Sequence, residues 1–330
     1  MLRFLYEYEV EEYLKEHGRT DQSFLIHNLL DFHALYFIPV VNIDGFSKIS
    51  EDYAKHGGLE YIRKNVRKSS PCGNLEDKGV DLNRNYDMAW GIDDDGSSPE
   101  RCAEDLRGAT PFSEPATRQI KNFLEKTQDG QSVKIALSLH AYGNLLVHPF
   151  NYLSTKFTCK DMAMSDEELK SLVKHSMCPI QESGRLLFFM KERGRACSQV
   201  KDKTLIDVRK AMRFYADLVD NAGLPKGFKY GNGAAMVGYS ANGEASDWMF
   251  AKHGIYAMSP ELGTQERYSE GFFVAEHWQL KKIVGDNYGW IRYTMLKLLP
   301  SFNVGIRNIY ETKRVFLNQT NLILSLNLFK

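Results

Sequence analysis

The sequence predicts an α/β protein. Helix-patterned and strand-patterned segments alternate along its 330 residues, the strand-type runs are short and apolar, and polar residues with chemistry to offer gather where those runs end. Hydrophobic residues make up 43% and charged residues 25%, an ordinary composition for a globular domain or two. Lysine plus arginine equals aspartate plus glutamate at 42 each, so no basic field is present to gather nucleic acid or anionic lipid. The longest apolar runs, such as residues 34–41, are too short to span a bilayer. Met1-Leu2-Arg3-Phe4 leads into acidic, helix-patterned sequence in place of a secretory apolar region.

The elements follow in order. Residues 2–17 place Leu5, Val10 and Leu14 among charges and reach Gly18, the pattern of an amphipathic helix with a glycine stop. Residues 34–41, rich in Tyr, Phe, Ile and Val, read as a buried strand ending in the turn Asn42-Ile43-Asp44-Gly45. Ser113-Glu114-Pro115 opens a helix to about Lys126, with Ser113 as N-cap and Pro115 in the first turn, where its missing N–H costs nothing. Residues 133–139 form the next strand and deliver His140 at its end. Residues 152–222 read as charged helical sequence, with one start near Asp166-Glu167-Glu168 and a second helix over 203–221. Within them, 176–204 reads as an insertion. Residues 255–259 are a late strand running into Pro260-Glu261-Leu262-Gly263, and 274–298 a long helix ended by Pro300. The expected division is one domain over 1–299 and an extension over 300–330.

Five cysteines cannot all pair within the chain. Cys72 and Cys102 bracket the segment holding Asn83 and Arg84, and closing that loop would stabilise the fold by about 3–4 kcal/mol on a chain-entropy argument. The alternative is a set of buried free thiols in a reducing compartment. Cys159, Cys178 and Cys197 follow no metal-binding spacing and read as structural.

Taken singly, Arg63, Asn83, Arg84, His140, Tyr239 and Glu261 each have an ordinary structural explanation. Their order and neighbourhoods change the reading. Pro39 to Gly45, Arg63-Lys64, Gly79 to Asp87, Trp90-Gly91, Arg107-Gly108, Phe112-Ser113-Glu114, Ser138-Leu139-His140-Ala141-Tyr142, Tyr239 to Gly243, Asp247-Trp248 and Glu261-Leu262 together resemble the zinc carboxypeptidases, the carboxypeptidase A-like group. One departure is Ile43, where that family commonly has proline. The resemblance implies a mixed, mostly parallel central sheet with helices on both faces, and hydrolysis of the C-terminal peptide bond of a peptide or protein by a monomer holding one zinc ion.

The resemblance also distributes roles. Asn83 and Arg84 would supply a fork of N–H donors for a terminal carboxylate, a geometry to which guanidinium is suited, and Tyr239 would close over the same end. Glu261 corresponds to the general base and Arg63 to the group stabilising the oxyanion. His140 corresponds to one zinc ligand, and Asp81 to a carboxylate that orients a ligand imidazole. Ser246 falls where the family lines the floor of its side-chain pocket, which favours neutral or apolar C-terminal residues.

None of the nine histidines is followed three residues later by glutamate. The family's His-x-x-Glu, which provides two of its three zinc ligands, is therefore not found. One imidazole does not hold a catalytic zinc, which needs about three protein ligands, so the chain as given is expected to be inactive. The resemblance further implies that the pair and the opening strands of the sheet would precede residue 1. The alternative is a non-catalytic module that binds peptide C-termini. The resemblance and the Cys72/Cys102 pairing favour a secreted or lysosome-like location, as does the Asn318-Gln319-Thr320 sequon.

Overall fold

The computed structural model describes residues 2–16, 25–56, 62–66, 72, 79–128, 133–161, 164–201, 203–264, 277–298 and 320–326. The expected stops at Gly18 and Pro300 and the sequon residue Asn318 lie outside them. Among the described residues no helix is long and apolar enough to cross a membrane.

Six strands make the central sheet: β1 (His33–Ile38), β2 (Val133–Leu139), β3 (Leu145–Val147), β6 (Lys229–Gly231), β7 (Tyr256–Glu261) and β8 (Thr320–Leu326), in the order β1-β8-β2-β7-β3-β6. Neighbours from β1 to β7 run parallel, β3 is antiparallel to β7, and β6 is parallel to β3. The sheet is thus mixed and mostly parallel, as the sequence led us to expect. Interior strands buried on both faces read as continuous apolar runs, and Ile135, Ala136 and Leu137 in β2 are buried accordingly.

The last thirty residues are not wholly an appendage. Strand β8 lies between β1 and β2, with His33 opposite Thr320 and Leu139 opposite Leu326. Its ladder satisfies backbone groups of both neighbours that an unfilled slot would have left without partners.

Helix α1 (Leu2–Glu16) exposes Leu5 and Val10 and leaves Leu14 half-buried. Polar and aromatic side chains help to hold it. The Glu11 carboxylate accepts the N–H groups of Ile26 and His27 at 3.2 and 2.7 Å, in the first turn of α2 (Leu25–Phe32), and Tyr8 stacks on His27. The expected turn at 42–45 is the start of α3 (Ile43–His56), where the Asn42 side chain accepts from the Gly45 N–H.

At the start of α4 (Pro115–Gln128) the Ser113 hydroxyl donates to the Glu114 carboxylate at 2.8 Å. Asn85 ties this start to the preceding loop: its Oδ1 accepts from the Glu114 N–H and the Thr117 hydroxyl, while its Nδ2 donates to Arg107 O, Thr110 O and Ser113 Oγ. Helix α5 (Asp166–Val173) starts with a Ser165/Glu168 capping box. Helix α6 (Val208–Asn221) begins five residues later than expected, capped by Asp207, and buries Val208, Ala211, Met212, Tyr215 and Leu218 along one face.

Among the described residues of 176–204 there is no α-helix, only a 3₁₀ turn at Cys197–Gln199. They contain the hairpin β4 (Met177–Glu182) and β5 (Arg185–Met190), joined by Ser183 and Gly184, both at positive φ. A two-residue turn of that kind matches the twist of an antiparallel pair. Phe188 is fully buried in the main core, and a disulfide joins Cys178 to Cys197. A second joins Cys72 to Cys102, and Cys159 remains a buried thiol. Short α7 (Gly233–Met236), α8 (Ala245–His253) and α9 (His277–Leu296) complete the helices. Nearly all of α8 is buried, and its Trp248 packs against Tyr86 and Phe112.

Candidate functional site

Residues from strand ends, a 3₁₀ turn and loops converge on one open cleft. Arg63, Asn83, Arg84, His140, Tyr239 and Glu261 all line it, so the structure brings together six residues scattered over 199 positions of sequence. Asn151, Glu244 and Ser259 line it too, with Val147, Val237 and Ala241 as apolar wall.

Arg63 is set by the start of α3. Asn42 Nδ2 donates to the carbonyls of Arg63 and Lys64 at 3.2 and 3.1 Å while its Oδ1 caps the helix. A Cβ on Gly45 would lie 2.4 Å from that amide nitrogen, so the contact requires glycine. The next stretch is locked by Asn65, which exchanges backbone and side-chain hydrogen bonds with Val80 and donates to Glu114 at 2.6 Å. Gly79 enters this pairing at φ +98, where a Cβ would overlap Asn65 O.

Asp81 then caps the 3₁₀ turn Leu82–Arg84, accepting from the Asn83 N–H at 2.9 Å. Its other oxygen meets Arg63 Nε at 2.6 Å and lies 3.8 Å from Arg84 Nη1. Burial alone would raise the Asp81 carboxyl. The charges of Arg63 and Arg84, with hydrogen bonds from Arg63 and the Asn83 N–H, together hold it below the usual carboxylate range. Burial opposes the charge on Arg63, and Asp81 outweighs it, keeping that guanidinium firmly protonated. Asp81 is thus engaged with guanidiniums and a backbone N–H. Arg84 is itself buried, donates to Asn83 O, and lies 6.0 Å from the ring of Tyr239, which is 45% exposed at the rim.

His140 and Glu261 sit side by side at the ends of β2 and β7, through His140 N–H to Pro260 O and Leu262 N–H to His140 O, each 2.8 Å. His140 Nε2 is 3.3 Å from Ser138 Oγ. Both side chains are buried.

Ser246 is fully buried and does not line the cleft; its hydroxyl donates to Glu244 at 2.6 Å. Glu244 is the group that faces inward, capping α8 through the Asp247 N–H at 2.9 Å. Asn151 joins this floor, donating to Glu244 at 3.2 Å, while its own N–H and that of Tyr152 donate to Asp247 at 2.7 and 3.0 Å. Burial, and then the charge of Glu244, push Asp247 well above the carboxylate range. Sequence reasoning passed over Glu244, Asn151 and Ser259. The one available signal was an acid directly ahead of the helix starting at Ala245, a capping position.

Zinc, expected from the resemblance, does not fit what is described. Among the described residues no group of three or more His, Cys, Asp or Glu side chains could hold a metal ion. His140 is the one imidazole among the cleft-lining residues. We therefore derive no step through a metal.

The chain is similar to several known proteins. Over 140 residues the chain is 31% identical to human mast cell carboxypeptidase A, covering 42% of this chain and 30% of that protein. Against a metallocarboxypeptidase A-like protein of Trichophyton verrucosum it is 31% identical over 144 residues, 44% of this chain and 30% of the other. Bovine carboxypeptidase B aligns over 268 residues at 24% identity, covering 81% and 48%. The chain therefore spans less than half the length of these relatives. The crystal structure of thrombin activatable fibrinolysis inhibitor shares the fold, with a TM-score of 0.51 and 21% identity over 90% of this chain and 58% of that one. The sequence profile described as zinc carboxypeptidase matches residues 2–288, and on that match the chain belongs to the zinc carboxypeptidase family.

Proposed function

We propose that this chain recognises the C-terminal end of a peptide or protein, and that by itself it does not sustain the zinc-dependent hydrolysis of the C-terminal peptide bond to which its family points. The observation that carries the first part is the arrangement of Arg84 with Asn83 in the cleft beneath the exposed ring of Tyr239. A guanidinium beside an amide offers paired N–H donors to a carboxylate, and a charge-assisted pair of this kind is stronger and more directional than a neutral hydrogen bond. Arg63 adds a second fixed cation on the same cleft, and Glu261 with His140 marks the end at which the scissile bond would lie. The second part rests on the ligand set. His140 has no His-x-x-Glu partner anywhere in the sequence, and a single imidazole is too few for a catalytic zinc. The two disulfides support an oxidising, secretory compartment.

The test has two readouts. A blocked dipeptide acid is expected to bind at least ~10-fold more tightly than its amide, the scale of one hydrogen-bonded charge. Equal binding would remove the recognition reading. Dialysed protein is expected to retain less than about one-tenth zinc per chain and to leave the dipeptide intact. Stoichiometric zinc with hydrolysis would show that other residues complete the site.

A further inference from the structure

Beside the cleft lies a buried imidazole that the fold accommodates in one charge state. His148 sits between Val147 and Asn151, both of which line the cleft. Its ring is fully buried and stacks on Tyr215 of α6, with centroids 5.3 Å apart and planes at 8°, and Phe157 lies 5.7 Å away. Nδ1 is 2.8 Å from Pro149 O. A carbonyl only accepts, so Nδ1 carries the proton and Nε2 keeps a bare lone pair. Nε2 is itself buried and has no hydrogen-bond partner among the described residues. The main chain is fixed at the same place: His148 N–H donates to Gly231 O at 3.0 Å, and Val147 pairs with Gly231 of β6 and Ser259 of β7. The surrounding elements offer a charged ring no acceptor. Tyr215 commits its hydroxyl to Ala257 O at 2.9 Å. On the segment that follows Phe157, Cys159 is a buried thiol pushed up to about 11 by burial, and Asp161 is exposed and accepts from the Thr158 N–H. The Gly231 carbonyl of β6 is already taken, and Lys229 of that strand is exposed.

We propose that His148 is a positioning residue that holds the wall of the cleft only as the neutral imidazole, so that acid opens the wall carrying Val147 and Asn151. What the opening does to a ligand rests on the reading of the cleft as a C-terminal recognition site. A proton on Nε2 would add a buried ionic N–H with nothing to accept it, which is the costly way to take a charge out of water. Burial accordingly lowers the His148 imidazole to about 4, from the usual 6.5, and the bond to Pro149 O and the charge of Asp161 offset this only in part. With the wall open and the ring in water, the proton binds near ~6.5. The closed wall is therefore fully favoured above that value and loses ground as pH falls through it, until the folded value is passed. Movement here reaches the whole cleft. Asn151 donates to Glu244 at 3.2 Å and accepts from the Gly233 N–H at 2.8 Å, and Val147 is held against Ser259.

The experiment is hydrogen exchange of the His148 and Asn151 backbone amides in the full chain at pH 5 and pH 7.5, converted to opening constants with the intrinsic exchange rate at each pH, and repeated in His148→Phe. Between the two pH values, opening of the unmodified chain is expected to rise on the order of 30-fold more than opening of the variant, the ratio set by a closed value of about 4 and an open value near ~6.5. Asp81 and Asp247 titrate in both chains and cancel in that comparison. An equal change in the two chains overturns the proposal. So does a His148 ring that takes up its proton near ~6.5 in the folded chain, as read from its ring chemical shifts. Should His148→Phe fail to fold, His148→Gln, which keeps a side-chain N–H for Pro149 O and does not titrate, carries the same comparison. A blocked dipeptide acid in excess should slow the opening ~10-fold at pH 7.5, and its amide should not. Equal protection by the two, or none by either, overturns the recognition reading, and the pH comparison still decides the role of His148.

Discussion

One buried carboxylate behind the cleft wall, Asp81, lies between two guanidiniums; Glu244, which lines the cleft, and Asp247 next to it lie among hydroxyl, amide and backbone donors. Burial does not distinguish them, since Asp81 is 2%, Glu244 3% and Asp247 0% exposed. Neighbours do. Asp81 is held below the usual carboxylate range, and Asp247 is pushed far above it. An acid paired with cations belongs to the scaffold of the site. An acid buried behind another carboxylate with no cation at hand, as Asp247 is, keeps its proton instead.

The comparison breaks most easily at Asp81. Asp81→Asn leaves Arg63 and Arg84 without their counter-charge, and the expected loss is about 3–5 kcal/mol in urea unfolding. A loss under about 1 kcal/mol would mean that the two guanidiniums find other anions. Next in size is Cys102→Ser, which opens the bridge to Cys72 across a separation of 30 residues. The chain-entropy estimate is about 3–4 kcal/mol, and unchanged stability on reduction would refute the pairing. Gly79→Ala forces a Cβ onto Asn65 O at positive φ, and about 2 kcal/mol or more should be lost. Binding of the blocked dipeptide acid should weaken with it, because the segment reaching Asn83 and Arg84 is displaced.

The smallest effect is the one that sharpens the contrast. The Asp81 carboxyl is lowered in the folded state, so its contribution is complete above the unfolded value near ~4 and lost as pH falls through the folded value. Asp247 is raised, so the folded chain holds a proton that the unfolded chain has released, and stability declines as pH climbs from ~4 towards the folded value. Asp247→Asn should therefore lie within about 1 kcal/mol of the unmodified chain at pH 4. It should gain relative to the unmodified chain by pH 8, as read from unfolding at both values. A relative loss at pH 8 would show that Asp247 is charged and satisfied.

Much of this site was legible before any coordinates. His140 and Glu261 stand where apolar runs stop, and strand ends in a mostly parallel sheet open on a common edge. Asn83 and Arg84 stood out through their surrounding motif. The hairpin at 177–190 was missed although Ser183-Gly184 between two runs is a turn signal, because the flanking charges suggested helix. Asn85 displaced Ser113 as the organiser of the start of α4 through bonds from 28 to 32 residues away in sequence. No local pattern reports contacts of that range.

By itself the sequence determined the alternation of elements, the family and the absence of a His-x-x-Glu pair, since each depends on residue identity and short spacing. Only the tertiary structure decided that residues 320–326 sit between β1 and β2, that Cys178 meets Cys197, and that Glu244 instead of Ser246 faces the cleft. Strand order, disulfide partners and side-chain facing depend on which distant groups satisfy one another's hydrogen bonds and exclude water, and those pairings are made only when the chain packs.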